Sequence, residues 1–311
     1  MTDFGGHQHS HSHSQGIANR ARILWALGII GLFLVVQVIG AFLSGSLALF
    51  ADAGHMASDF VGLVIALVAL SIALKPATQR HTFGFRRFEV LGALGNALIL
   101  LGVSLTVGIT AVGRLLVGAS ETEIESVPML LVAVLGLLAN VVALLVLRGG
   151  QKDSINLRGA YLEVLADTLG SVAVIIAAVI IMTTGFNAAD SIASLLIALM
   201  ILPRAITLLR DVAEVLTQRA PREADTNLIR KHILEQPGVL DVHDLHIWSI
   251  TTGESVFTVH VVVEDDVFRS GKTGELLHTL SACLSDHFDV EHSTFQFEPS
   301  GHAEPDEVLH A

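Results

Sequence analysis

Six apolar runs separated by short polar connections fill the first two-thirds of the chain, near 23–44, 47–74, 88–116, 127–148, 159–184 and 188–208. A helix needs about 20 residues to cross a hydrocarbon core about 30 Å thick, so each run is predicted as a membrane-spanning helix. The sixth is the shortest, and carries Asp190 at its start and Arg204 near its end. Past residue 209 the pattern changes. A helix is predicted over 221–236, stopped by Pro237-Gly238. Two β-like runs follow at 239–250 and 255–263, split by Thr-Thr-Gly-Glu. A second helix is expected over 271–287 and a last alternating strand over 293–297. The order αββαβ implies a small open sheet with helices on one face. Ahead of the first run, residues 1–19 are polar and low in complexity, with His7, His9, His11 and His13 alternating. Such a leader cannot bury enough surface to fold.

Composition strengthens this division. Hydrophobic residues make up 52% of the 311, aromatics 5% and charged residues 15%. Mean hydropathy is +0.64. Soluble domains carry about a quarter charged residues, so a soluble single-domain enzyme and a disordered protein are both excluded. The fold class is a polytopic α-helical membrane protein with six transmembrane helices and a C-terminal α+β domain. Four parts are expected: a disordered leader (1–19), a six-helix domain (20–209), an α+β domain (210–298) and a disordered tail (299–311). The start of the chain lacks the form of a cleavable signal peptide.

Charge then orients the chain. Arg20 and Arg22 precede the first run, Lys75, Arg80, Arg86 and Arg87 fill the second connection, and Arg148, Lys152 and Arg158 the fourth. Arg204 and Arg210 follow the sixth run, whereas the third connection is acidic at Glu121, Glu123 and Glu125. Lys and Arg favour the cytoplasmic side, so both termini are expected in the cytoplasm, with the chain multi-pass in the inner (plasma) membrane. Residues 210–311 hold seven Lys and Arg against nineteen Asp and Glu, which accounts for the whole net charge of −12. Neither part offers the basic face that a nucleic acid requires. A single cysteine, Cys283, excludes disulfide frameworks and multi-thiolate metal sites.

Four ionisable side chains nevertheless fall deep within the apolar runs. His55 and Asp59 stand four apart in the second, and Glu163 and Asp167 four apart in the fifth. Buried charges cost about 2.5–3.5 kcal/mol each on insertion scales and survive mainly at functional positions. Residues at i and i+4 share a helix face, so each helix presents two ligands, and two such pairs facing each other make a tetrahedral set that Zn2+ accepts. The bland alternative is structural ion pairing, but the runs contain no Lys, and Arg114 lies near a span end on the opposite side. A proton path without metal stays open. Asp52, one turn before His55, suits a supporting role. Asn96 and Asn140 suit interhelical hydrogen bonds. Asp190 reads as a helix-start residue.

Ser46–Asp59, with its Ala-Asp-Ala-Gly-His-Met-Ala-Ser-Asp core, resembles the second-span motif of the cation diffusion facilitator family. Arg80–Leu91 and Ala160–Ser171 resemble the family's next two characteristic segments, and Val242–Ser249 and Ser293–Pro299 its cytoplasmic domain. The resemblance extends over almost the whole chain. It implies a proton-coupled exporter of divalent transition metals, usually zinc, that works as a homodimer with a metallochaperone-like cytoplasmic domain. It also implies that His55, Asp59, Glu163 and Asp167 form the transport site. Zinc-selective members commonly carry His where this chain has Glu163. A harder oxygen ligand loosens the preference among first-row metals, which opens the site to Co2+, Cd2+ or Mn2+. Three carboxylates and one imidazole carry a formal charge of −3, so a metal plus at least one proton is the neutral load.

By the same resemblance, His243, His260, His292 and Glu298 lie where members bind a regulatory metal, with surface histidines on a solvated sheet as the alternative. In a strand, His243 and His246 face opposite sides unless a bulge intervenes; His246 is expected beside Trp248, and His278 and His287 on exposed helix faces. No phosphate-binding loop is present, since Gly149-Gly150-Gln151-Lys152 lacks the required spacing, so an ion gradient is the expected energy source. The rival readings are a Mn2+- or Fe2+-preferring carrier, a membrane-bound metal sensor without transport, and an intramembrane metallohydrolase. The last lacks a second catalytic group, so an enzyme is not expected.

Overall fold

The structure, a computed structural model, describes residues 13–73, 77–117, 123–147, 155–251, 253–288 and 292–301. His7, His9, His11, His302 and His310 lie outside the described residues, as do Lys75, Arg148, Lys152 and Glu121. The chain divides into two compact units, one of residues 1–75 and 92–209, the other of 76–91 and 210–311.

In the first unit each apolar run is helical: α1 His13–Ser44, α2 Leu47–Ala73, α3 Arg87–Val117, α4 Ser126–Leu147, α5 Ile155–Thr184 and α6 Ala188–Leu216. Helix α1 begins within the segment read as leader. Four helices, α3 to α6, are long and apolar enough over their described residues to cross a membrane, and α1 contributes the apolar stretch Ile30–Ser44. The interior is rich in small side chains. Ala41, Ala48, Ala51, Ala111, Ala177, Ala178, Ala193 and Ala205 are buried, with Leu49, Leu100 and Met129 as large residues among them. Many other large aliphatic and aromatic residues point outward, with Phe42 75% and Ile109 72% exposed. Helices in hydrocarbon gain nothing by hiding large apolar groups from one another, so close backbone approach through small residues drives their packing. Gly54 is such a point, since a Cβ there would run into the Val103 side chain. Gly40 is another, where an added Cβ would stand 2.6 Å from Val132 Cγ2.

The start of α2 is closed by a residue from another helix. Asp190 of α6 is fully buried. Its Oδ2 accepts from the Leu47 N–H (2.8 Å), and its Oδ1 accepts from the Ala48 N–H (3.2 Å) and the Ser46 hydroxyl (2.5 Å). Ser46 Oγ accepts from the Leu49 N–H at 3.0 Å, and Ser44 Oγ from the Ser46 N–H at 3.2 Å. All four amides that a helix N-terminus leaves unpaired are thereby satisfied. Arg114 Nη1 approaches Asp190 Oδ2 at 3.5 Å. Asp190 therefore caps α2 across the bundle, in addition to standing in the first turn of its own helix.

The second unit holds a three-stranded sheet in the order β1-β2-β3, of β1 Val239–Thr251, β2 Glu254–Val263 and β3 His292–Pro299. β1 and β2 pair antiparallel, and β2 and β3 parallel. The parallel pair needs a crossover, supplied by a short turn of helix at Asp265–Arg269 (α8) and by α9 Thr273–Phe288. Helix α7 spans Thr226–Leu234, later than the expected start at 221, because the Asp225 carboxylate caps it by accepting from the Asn227 and Leu228 N–H groups. Ile229 and Ile233 of α7 and Leu276, Leu280 and Leu284 of α9 cover one face of the sheet over Val242, Phe257, Val259 and Val261. The strand register shifts between His243 and His246, where Asp244 takes φ 47°. This is the bulge that lets the strand re-aim its side chains. Residues 77–91 pack with this unit: Arg86 pairs with Glu254, and the Thr251 hydroxyl donates to Glu89 Oε2 at 3.1 Å.

Replacing Asp190 with Ala leaves two amides and a hydroxyl buried without an acceptor, each deficit costing about 1–3 kcal/mol. The thermal midpoint of the detergent-solubilised protein is expected to fall markedly, whereas Ser46→Ala, which removes one cap, lowers stability by about 1 kcal/mol.

Candidate metal centre

Helix α2 carries His55 and Asp59 one turn apart, and α5 carries Asp167 against them. His55 Nε2 lies 2.8 Å from Asp167 Oδ1 and 3.8 Å from Asp59 Oδ2. One ligand atom from each of the three stands within 4.8 Å of the other two, so one ion can reach all three. The two i,i+4 pairs thus meet as expected for three of their four members. Glu163 occupies α5 one turn before Asp167, but its side chain lies outside the described residues.

Polar neighbours hold the cluster. The Gln37 amide of α1 donates to Asp52 Oδ2 at 2.5 Å, which steadies a second carboxylate beside the site. The Ser58 hydroxyl donates to Asn96 Oδ1 at 2.6 Å, tying α2 to α3, and Asn140 Nδ2 donates to Ser171 Oγ at 3.4 Å, tying α4 to α5. Both amides make the interhelical bonds expected of them. Two cavities adjoin the cluster. One, of about 250 Å³, is lined by Asp52, His55, Asp167, Gly170 and Arg204. The other, of about 650 Å³, is lined by Asp59, Asn96, Asn140, Asp167 and Arg204.

In the sequence Arg204 reads as a basic residue near the end of the sixth span, and the structure places it at the cluster. Its Nη2 donates to Asp59 Oδ1 at 3.2 Å, and its Nη1 lies 3.4 Å from His55 Nε2. The acids of the bundle therefore do have a cationic neighbour, contrary to the sequence expectation. The available signal was its position: Arg204 precedes the described end of α6 by three turns, and Pro203 before it removes one rung of the helix ladder.

In the second unit His243 of β1 and His260 of β2 are cross-strand partners, with ring centroids 5.2 Å apart. Both reach Glu298 of β3, a buried carboxylate: His243 Nε2 to Oε2 at 3.2 Å and His260 Nδ1 to Oε1 at 2.9 Å. Gln296, opposite His260 in the parallel ladder, donates to Glu298 Oε1 at 2.7 Å. Asp244 joins the two histidines as a third potential ligand. His292 stands apart from this group. It pairs in register with Val256, and its ring lies 5.9 Å from that of Phe83. His246 is exposed, its Nε2 4.0 Å from Asp244 Oδ1.

Comparison with known proteins gives the family of the chain. The family model of the cation efflux transmembrane domain matches residues 23–217, and that of the cation efflux protein cytoplasmic domain matches residues 221–300. The chain belongs to the cation diffusion facilitator (cation efflux) family. It is 44% identical over 305 residues to the metal cation efflux system protein CzcD of Cupriavidus metallidurans, covering 98% of this chain and 94% of that one. Identity is 36% over 301 residues to the cadmium, cobalt and zinc/H(+)-K(+) antiporter of Bacillus subtilis, covering 96% and 95%. It is 40% over 295 residues to the zinc transporter ZitB of Escherichia coli, covering 94% and 91%. Membership in this cation efflux family makes the chain a multi-pass membrane transporter and not an enzyme.

Glu298 is the shared acceptor of the cytoplasmic-domain cluster of this family member. Glu298→Gln keeps its shape but not its charge, and is expected to weaken divalent-ion binding there by about tenfold. His292→Ala should leave that binding unchanged. Calorimetric titration of the full chain separates the two outcomes.

Proposed function

We propose that this chain is a proton-coupled antiporter that exports divalent transition metals from the cytoplasm, with Zn2+ as principal cargo and Co2+ and Cd2+ also accepted. The cargo binds at His55, Asp59, Glu163 and Asp167. The names of the relatives support the cargo class, since one is a zinc transporter and another a cadmium, cobalt and zinc antiporter. The observation that carries the coupling is the 2.8 Å contact between His55 Nε2 and Asp167 Oδ1. A contact of that length between an imidazole nitrogen and a carboxylate oxygen holds a proton between them. Metal ligands must be deprotonated to bind, so ion and proton compete for the same two atoms.

The cycle follows from that competition. On the cytoplasmic side the ion sheds its water into the cluster and releases the shared proton. After the bundle reorients, protons from outside reload His55 and the carboxylates, and the ion leaves. Six spans with both termini in the cytoplasm place every basic connection on one side, in keeping with the positive-inside bias. The chain works as a homodimer, a reading supported by its match to the cytoplasmic domain of the family. The donor set of His243, His260 and Glu298, two imidazoles converging on one buried carboxylate, suits a regulatory divalent ion. An acidic domain also raises the local concentration of divalent cations at its own surface.

Glu163 sets the breadth of cargo by adding an oxygen ligand where an imidazole would favour zinc. Flux into proteoliposomes under an imposed pH gradient, with Zn2+, Co2+, Cd2+ and Mn2+ compared, tests both points. Wild type is expected to carry several of these metals, and Glu163→His to narrow the profile toward Zn2+. If neither protein moves any metal while control vesicles stay tight, the carrier reading fails. An unchanged profile in Glu163→His removes the selectivity role.

A further inference from the structure

Arg204 and Asp167 are shared by the linings of both cavities beside the cluster. Positions along the helices show how those cavities are arranged. The larger contains Asp59 and Gly62 of α2 and Val164 of α5, and the smaller contains Asp52 and His55 of α2 and Gly170 of α5. The larger therefore lies toward the C-terminal end of α2 and the N-terminal end of α5, and the smaller toward their opposite ends. Arg204 stands between them, with its guanidinium 3.2 Å from Asp59 Oδ1 and 3.4 Å from His55 Nε2. A divalent ion bound to Asp59 and His55 must take space that this guanidinium now fills, and two positive groups cannot share it.

The Arg204 side chain can give way. It is 40% exposed, against 13% for His55, and it has a long flexible stem. Arginine stays charged throughout the accessible pH range, so the displacement needs no proton to be gained or lost. We infer that Arg204 is a tethered counter-ion that holds the place of the cargo between transport events. In the empty carrier it neutralises Asp59 and closes the passage between the two cavities. An arriving metal ion expels it, and its return to Asp59 drives the ion onward. The inference rests on the proposed binding of cargo at His55, Asp59, Glu163 and Asp167.

The test uses the full chain carrying His243→Ala, His260→Ala and Glu298→Gln, which removes the donors that converge in the sheet, so that Co2+ absorption in the visible reports the helix-bundle site, with flux in proteoliposomes as the second readout. Arg204→Gln removes the competitor. It is expected to bind Co2+ about tenfold more tightly, while transport turnover falls by about the same factor because release slows. Added guanidinium ion should weaken Co2+ binding in Arg204→Gln toward the value with Arg204 present, and have little effect when Arg204 is present. Arg204→Lys keeps a charge but not the planar fork, and should give a smaller change in the same directions; it serves if Arg204→Gln fails to fold by thermal midpoint. Equal or weaker Co2+ binding in a folded Arg204 variant overturns the inference, since a merely structural role would lower binding and flux together. Asp167→Asn is the separate control. If it retains the Co2+ bands, the site assignment fails whatever the Arg204 variants do.

Discussion

A polar group withdrawn from water must find its partner within the protein, and within hydrocarbon no substitute exists. That constraint organises the helical unit from end to end. The first two amides of α2 turn to Asp190, and Asp52 has the Gln37 amide. Ser58 bonds Asn96, and Asn140 bonds Ser171. Because these polar contacts join different helices, they also fix which faces meet, and they leave many of the large aliphatic side chains to face outward. The site is assembled as a by-product of the same rule: once α2 and α5 lie side by side, His55, Asp59 and Asp167 have one another and Arg204 as neighbours.

The cluster is not fully balanced by its own members. Two carboxylates and a neutral imidazole leave excess negative charge in a low-dielectric setting, where unpaired charge is costly. Three kinds of cation can offset it: a proton between His55 and Asp167, the guanidinium of Arg204, or a divalent ion that touches all three ligands. They occupy overlapping space, so they exclude one another. On the proposed reading, exchange between these cations needs only side-chain displacement and helix reorientation.

Much of this was legible in the sequence. Six apolar runs are six helices, four of them ending within four residues of the expected bounds, while α1 starts ten residues earlier and α6 runs eight residues further; the i,i+4 spacing of His55 with Asp59 gives the shared face directly, because helix periodicity is local. What escaped was nonlocal. Arg204 reads as a flanking cation because its place on α6 gives no hint that Asp59, 145 residues earlier, lies beside it. Asp190 reads as an ordinary helix-start residue, yet its main partners are amides of α2. Of the expected set His243, His260, His292 and Glu298, the parallel register of β3 brings Glu298 to both rings, puts Gln296 opposite His260 and sets His292 level with Val256. Strand register depends on the crossover through α9, which spacing along β3 cannot reveal.

Asp190 and Arg204 also act as two fasteners on one rod. They stand fourteen residues apart on α6, about 21 Å at the helical rise, and both grip α2. With both closed, α6 and α2 are held at two levels and cannot scissor against each other. With the Arg204 contact open and the buried Asp190 cap intact, the pair keeps a single pivot at the start of α2, and motion there is amplified toward the far end. The buried cap therefore sets where the bundle can bend, from a position that no metal ion ever needs to reach.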